Sequence, residues 1–249
     1  MSGTVARSLG ALGDALGGTA NVNFDAGTLF IDGTNNNVGI GTTSPGYALD
    51  ILNSTAAVVR MAANTTSGYG FYQIGRSSTA TNNWHMGSEG DGTFRFYNGN
   101  WGAGTERMRI DASGRVIRPS QPAFAAYGGS GITTTGSSQT CVFNTTATNV
   151  GGHYNTSNGR FTAPVAGLYH FTWFISQSGT ATGPVAYILV NGNSPFVPAI
   201  SYGTAYNNAC ASVVLSLNAN DFVTVGVIAF NSSFSFIDFG YSGFSGFLI

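Results

Sequence analysis

Apolar and polar residues take turns along most of this chain of 249 residues. The alternating runs are short, each is closed by Gly, Ser, Asn or Thr, and a period of two is the pattern of half-buried strands. In the last part, "PAFAAYGG", "QTCVFNTT", "GRFTAP", "GLYHFTWFISQS", "VAYILVNG", "CASVVLSLN", "DFVTVGVIAF" and "SGFLI" predict about eight strands, regularly spaced as in a sandwich or jelly roll. Within "GLYHFTWFISQS", Leu168, His170, Thr172 and Phe174 alternate with Tyr169, Phe171, Trp173 and Ile175. Both faces of that strand are mostly apolar, so both need cover: a second sheet on one side, and a neighbouring subunit or a larger core on the other. Earlier, "GFYQIGRSS", "NNWHMGSEG" and "TFRFYNGN" predict strands with few large apolar residues per face. A region that thin gains by wrapping with copies of itself. Near the start, Val5, Leu9, Leu12 and Leu16 recur at spacings that line one side of a short helix interrupted by glycines. A helix so short forms only against a partner surface or its own copies.

Composition sharpens this all-β picture. Charged residues make up 8% of the chain, against roughly a quarter in ordinary soluble domains. The surface is left to Gly, Ser, Thr and Asn, and 36 glycines with 13% aromatics suit tight turns between short strands. A net charge of −1 lacks the basic face of a nucleic-acid binder. No apolar run reaches the ~18 residues of a membrane span, and the first residues lack the unbroken apolar stretch of a signal peptide. Assembly in a cytosol, with no membrane insertion, is expected. Cys141 and Cys210 then read as two buried thiols, with a disulfide as the alternative; neither has metal-ligand spacing.

Charge also divides the chain. From Pro119 onward only Arg160, Asp221 and Asp238 are charged, and the Pro-rich "RPSQPAF" marks the break. The expected organisation is an N-terminal anchoring segment, 1–28, a β-rich shaft, 29–118, and a globular head, 119–249. The shaft carries a faint repeat: "LFIDGTNNNVGIGTTSP" and "MRIDASGRVIRPSQP" share an apolar residue two before Ile, then Ile-Asp, a polar turn, a Val and a Pro. The glycine-rich "NNNVGIGTTSPG" is not a phosphate cradle. All nine basic residues of the chain are Arg, so the lysine of such a loop is missing, and Pro45 stands where a helix would have to start. It reads as a strand ending in tight turns, with Gly39 and Gly41 free to take positive φ.

Two resemblances follow from these phrases. "NVGIGTTSPGYALDI" and "TERMRIDASGRV" resemble the shaft segments of bacteriophage tail fibres and related appendages, which implies an intertwined, trimeric shaft. The second copy departs from the pattern, lacking the glycine pair and running straight into the next domain. "FAAY", "YNTSNGRFTAPVAGLYHFTW", "ASVVLSLNANDFVTVGV" and "FSGFLI", in that order, resemble the globular head of the C1q-like family, a TNF-like jelly roll. This implies a ten-strand sandwich packed as a homotrimer that binds through its outer loops and catalyses nothing. Asn220-Asp221 stands where that family usually has Gly-Asp, and the turn is expected to survive because Asn tolerates positive φ.

The chemistry-bearing residues fit binding better than catalysis. Glu89, Asp91, Glu106 and Asp111 read as turn residues or arginine partners rather than as the paired acids of a glycosidase. His85, His153 and His170 have no nucleophile in a recognisable motif. No cofactor is expected; the complement-type resemblance adds calcium as an alternative, with Asp221 repeated by symmetry as its ligand. The loops "YGGSGITTTGSS", "SGTATG", "SYGTAYNN" and "FNSSFSF" carry the vocabulary of adaptable recognition surfaces, and Tyr202, Tyr206 and Tyr127 are the receptor-binding candidates. The expectation is a virion fibre: Val5, Leu9, Leu12 and Leu16 anchor it to a tail or capsid protein, and the head meets a glycan or protein of the host surface. A capsid head-fibre or decoration protein is the alternative, and a glycan-cleaving tailspike a distant third.

Overall fold

The computed structural model describes residues 21–24, 28–57, 59, 70–74, 83–99, 104–129, 132, 137–178, 185–193, 198–200, 208–228, 235–236 and 241–249. Val5, Leu9, Leu12 and Leu16, and Tyr202 and Tyr206, lie outside them. Every element among the described residues is a strand. The chain divides into two compact units, Met1–Asn64 and Thr65–Ile249.

The first unit holds one sheet, in the order β1 (Val22–Phe24), β2 (Leu29–Asp32), β3 (Asn37–Ile40), β4 (Leu49–Ile51). The Ile-Asp phrase builds its first turn. Asp32 Oδ1 accepts from the backbone N–H groups of Thr34 and Asn35 at 3.0 and 3.1 Å, and Oδ2 accepts from the Asn35 side chain at 2.8 Å. These bonds hold the carboxyl below its ordinary pKa, the Asn35 side chain contributing most. Asn36 then takes φ 58° and the chain returns antiparallel.

The next connection is less usual, because β4 pairs parallel to β3 across residues 41–48 only. Parallel neighbours normally need a crossover of about a dozen residues or more. Here Asn37 Nδ2 donates to the Pro45 carbonyl at 3.0 Å, Gly46 N to Asp50 Oδ2 at 2.9 Å, and Leu52 N to the Ile40 carbonyl at 2.9 Å. Gly41 has φ 75°, and a Cβ there would collide with the Leu52 carbonyl. Gly39 does not take the positive φ expected of it; it sits within β3, and a Cβ would strike the Thr42 carbonyl. One glycine serves backbone direction and the other close approach.

The second unit begins with a five-stranded antiparallel meander, β5 (Gly70–Ile74), β6 (Trp84–Ser88), β7 (Phe94–Asn98), β8 (Thr105–Ile110) and β9 (Val116–Ile117). The second Ile-Asp phrase closes its last hairpin, again with the Asp side chain accepting backbone bonds. Asp111 Oδ1 accepts from Ser113 N at 2.9 Å and Arg115 N at 3.0 Å, and Gly114 supplies the positive φ, 83°. Both turns thus have an Asp that accepts from the N–H two residues ahead, but the first loop is one residue longer, and the copies diverge after it.

A jelly roll follows. Its first sheet runs β12 (Thr145–Val150), β10 (Ala123–Tyr127), β21 (Gly243–Leu248), β15 (Gly167–Ser178), β18 (Asn208–Leu217), with β20 (Ser235–Phe236) beside the end of β15. Its second runs β13 (Tyr154–Asn155), β14 (Arg160–Thr162), β19 (Phe222–Ile228), β16 (Val185–Val190), β17 (Pro198–Ile200), with β11 (Gln139–Thr140) also on β19. These are more strands than the alternation predicts, the additions being short pieces with little pattern of their own.

The core lies between the two sheets. Tyr169, Phe171, Trp173 and Ile175 point into it from β15, meeting Phe161, Ile188, Val223, Val225 and Val227 from the facing sheet. Phe124 is the centre of an aromatic cluster, stacked on Tyr154 at 4.9 Å and on Phe161 at 5.0 Å, with Phe244 edge-on at 4.8 Å. Each such ring contributes about 1.5–3 kcal/mol by burial, and offset or edge contacts add to it. Buried hydroxyls find partners: Tyr154 donates to the Phe143 carbonyl at 3.0 Å and Tyr169 to that of Val165 at 2.8 Å.

Candidate functional site

Strand register gives the head two unlike ends. At one, the chain enters from residues 118–122. Gln121 Nε2 donates to the Leu248 carbonyl, Leu248 N to the Pro122 carbonyl at 3.0 Å, and Ile249 N to the Leu168 carbonyl at 2.9 Å. At the other, Tyr127, Gly243, Phe174 and Cys210 form one row across the first sheet, and Val185 pairs with both Ile228 and Ile200 in the second. The strands bounding all four polar-aromatic loops singled out in the sequence therefore end together, opposite the point of entry. The loop residues Tyr202 and Tyr206 are outside the described residues, while Tyr127 closes β10 and is exposed.

The outer face of the first sheet is the other notable surface. Its rows read Val150, Ala123, Phe247, His170, Val214; then Thr148, Ala125, Ser245, Thr172, Ser212; then Thr145, Tyr127, Gly243, Phe174, Cys210. Leu168, Phe174, Val214, Phe247 and Ile249 are exposed there, with His170 ring against ring with Phe247 at 5.2 Å. Gly243 lets the Phe174 ring lie close over the sheet. The doubly apolar strand read from "GLYHFTWF" thus has its second sheet inside and a bare apolar face outside, the kind of surface that marks an interface.

Cys141 is buried in the core, where burial pushes its thiol well above the ordinary value. Cys210 is exposed on this outer face and is not bonded to Cys141. The expectation of two buried thiols fails for Cys210 because in β18 the inward set is Ala209, Ala211, Val213, Leu215 and Leu217, and Cys210 shares the outward set with Ser212 and Ser216. The polar serines were the available signal.

Asp221 is engaged in a turn at the entry end of the head. Its Oδ1 accepts from Asn191 Nδ2 at 2.8 Å and its Oδ2 from Asn218 N at 2.8 Å. The Asn191 bond, followed by that of Asn218, holds the carboxyl below its ordinary pKa. Asn220 takes φ 72°, as the Asn-for-Gly reading requires. Among the described residues no group of three His, Cys, Asp or Glu gathers around Asp221 or elsewhere as a metal site would need.

The carboxylates of the meander are likewise engaged. Arg95 Nη1 lies 3.0 Å from Glu89 and 3.7 Å from Glu106, and its Nη2 pairs with Asp91. Arg109 holds Glu106 at 2.6 Å and Arg115 holds Asp111 at 2.7 Å. Tyr97 bridges the first group, donating to Glu89 at 2.9 Å and accepting from Arg95 at 3.0 Å. Thr93, first among its causes, keeps Asp91 below the ordinary carboxylate value. A glycosidase acid would need its pKa raised, whereas those of Asp91 and Asp111 are lowered. His85 is buried in the same sheet beside Phe71, at 5.5 Å between rings.

Comparison with known proteins agrees with the sandwich. The chain spans less than half the length of the curated relatives it matches. A complement C1q subcomponent of Mus musculus is 33% identical over 111 residues, 43% of this chain and 42% of that protein. Complement C1q tumor necrosis factor-related protein 3 of Homo sapiens is 34% identical over 55 residues, 22% of each. Among solved structures, the globular domain of zebrafish complement 1qA protein has 20% identity and a TM-score of 0.42, covering 52% of this chain and 98% of that one. The Eiger TNF of S. frugiperda has 12% identity and a TM-score of 0.45, covering 53% and 94%. The model of the C1q domain matches residues 123–249, from the first strand of the jelly roll to the residue after its closing strand, and the chain belongs to that family.

Proposed function

We propose that this chain is a trimeric attachment fibre of the phage tail-fibre kind, anchored to a virion by its first residues and touching the host surface with its C1q-type head. The observation that carries the reading is the polarity of the head. The chain enters at one end, and the strands that bound the four Gly-, Ser-, Asn- and Tyr-rich loops finish at the other. A recognition surface held opposite a tether is what attachment requires. C1q- and TNF-like domains typically form homotrimers, and the bare outer face carrying Leu168, Phe174, Val214 and Phe247 supports the same packing here. The "VGIGTTSP" phrase supports the phage assignment, and the ion-paired carboxylates support binding without catalysis. No cofactor is assigned: one oxygen of Asp221 accepts from Asn218 within the turn and the other from Asn191.

Three preparations test the reading. Full-length protein should bind host cells as a trimer of three 25.7 kDa chains by light scattering. Substituting Tyr202 and Tyr206 by Ala should weaken binding by on the order of 2 kcal/mol or more while leaving the mass unchanged. Deleting residues 1–18 should abolish incorporation into particles and spare cell binding. A trimer that binds no host cell although its virions do would give way to the decoration reading; normal incorporation of the deletion would overturn the anchor; release of reducing ends from envelope glycans would overturn the non-catalytic assignment.

A further inference from the structure

We infer that the meander of residues 70–117 is an interface between copies of this chain, and that one defined face of it, rather than its edges, meets them. The inference rests on the trimeric reading of the head. Across β5 to β8, Tyr72, Met86, Phe96 and Met108 lie side by side in register. On one flank stand Ile74, Trp84, Asn98 and Thr105; on the other, Ser88, Phe94, Ile110 and Val116. None of these side chains is charged, and Arg107 falls out of register at the bulge beside Phe96. Tyr72 is 54% exposed, Ile74 52% and Val116 62%. An apolar face of that extent is not left to water in a soluble protein.

The back of the sheet is different. Arg95, Tyr97, Glu106 and Arg109 hold one another there, and His85, in register with Tyr97, is buried, so the polar groups of that side find partners within the sheet. One side satisfies its own polar groups, and the other leaves large apolar side chains exposed. The partner is a second and third copy of this chain, because β9 ends at Ile117 and β10 begins at Ala123. The intervening residues 118–122 span at most about 18 Å. Once three heads are joined, three such faces are held together at an effective concentration in the millimolar range, so even a weak apolar contact closes. The residues in register on this face also lack the charges by which a foreign partner would be selected.

Methionine oxidation reads the face directly, since two of the four methionines, Met86 and Met108, lie on it. Full-length protein is treated with hydrogen peroxide beside a free methionine peptide, sites are resolved by peptide mass spectrometry, and mass is followed by light scattering. In the trimer Met86 and Met108 should oxidise at least about tenfold more slowly than the peptide. Phe247→Asp, which places a charge on the outer face of the head and separates the copies, should bring both to within about threefold of it. The triple variant Tyr72→Ser, Ile74→Thr, Val116→Thr alters side chains that are exposed in the single chain, so the sheet should persist. It should remain trimeric through its heads while both methionines become reactive. A trimeric wild type whose Met86 and Met108 react like the peptide overturns the inference and leaves the head reading standing. Protection that persists in separated chains overturns it too. A monomeric wild type overturns both.

Discussion

Phe174 and Cys210 stand opposite each other across the β15–β18 pair, both on the outer face of the head, while their neighbours Trp173 and Ala211 pack inward. That places the two thiols of the chain in opposite environments. In chains separated by Phe247→Asp, one thiol per chain should react promptly with a disulfide reagent, and Cys210→Ser should remove that reaction. In the trimer proposed above the same thiol should react at least about tenfold more slowly. Cys141 should stay silent until the head unfolds, because its thiolate is suppressed by burial. Equal reactivity of Cys210 in trimer and separated chains would remove this face from the subunit contact.

The glycines of the first sheet should not be equivalent to those of ordinary turns. Gly114 has positive φ but open space where a Cβ would lie, so Gly114→Ala should cost about 1 kcal/mol. Gly41→Ala meets both the positive φ and the Leu52 carbonyl and should cost about 3 kcal/mol or more. Gly39→Ala, with ordinary φ, should still disrupt the sheet through the Thr42 carbonyl. Hydrogen exchange of residues 29–51 measures the last two and exchange of residues 105–117 the first. Equal effects at Gly41 and Gly114 would contradict the close approach.

A head of residues 119–249 should fold on its own and melt cooperatively, since its core is complete within it. Phe124→Ala removes the ring shared by Tyr154, Phe161 and Phe244 and should destabilise that head by about 3–5 kcal/mol. Thermal denaturation of the two proteins decides it. A loss below about 1 kcal/mol would mean that the cluster is not the centre of the core.

The Asp221 turn predicts an acid response of the head. A carboxyl whose folded pKa is lowered adds stability that is fully present above its unfolded value, near 4, and is lost as pH falls through the lowered folded value. The melting temperature should therefore drop below about pH 4, and drop less steeply in Asp221→Asn, which has no proton to take up there. Parallel acid slopes for the two proteins would sink the assignment.

How much of this was legible in the sequence depends on how each element is stabilised. The long strand Gly167–Ser178 announces itself because alternation persists over its whole length and its inward set is aromatic. Thr145–Val150, by contrast, has almost no apolar residue, and it is a strand because the edge of β10 is open to it. Tyr154–Asn155 and Gln139–Thr140 are too short to carry a period and exist only as additions to neighbours. The repeated Ile-Asp phrase was readable, since an Asp that accepts from backbone N–H groups two to four residues ahead is a local device. The parallel return after it was not. It is specified by two carbonyls approaching Gly39 and Gly41, and nothing in the spacing of the letters shows which atoms will come near.

The candidate site obeys the same division. That Asp221 would close a turn was visible in Asn220-Asp221, but its partner Asn191 is distant in sequence and reaches it only because β16 and β19 pair. The arginine partners of Glu89, Asp91, Glu106 and Asp111 were expected, and the meander supplies them from its own hairpins.

The parallel step between β3 and β4 has a consequence for how such a chain can change. A hairpin reverses the polypeptide, so adding one moves the exit to the other side and disturbs whatever comes next. The step over residues 41–48 instead returns the chain on its original heading, displaced by one strand spacing, about 4.8 Å. A gene that duplicates or loses such a phrase alters length in fixed increments while entrance and exit keep their directions. Length then becomes a quantity that is counted, separable by recombination from the domain that follows.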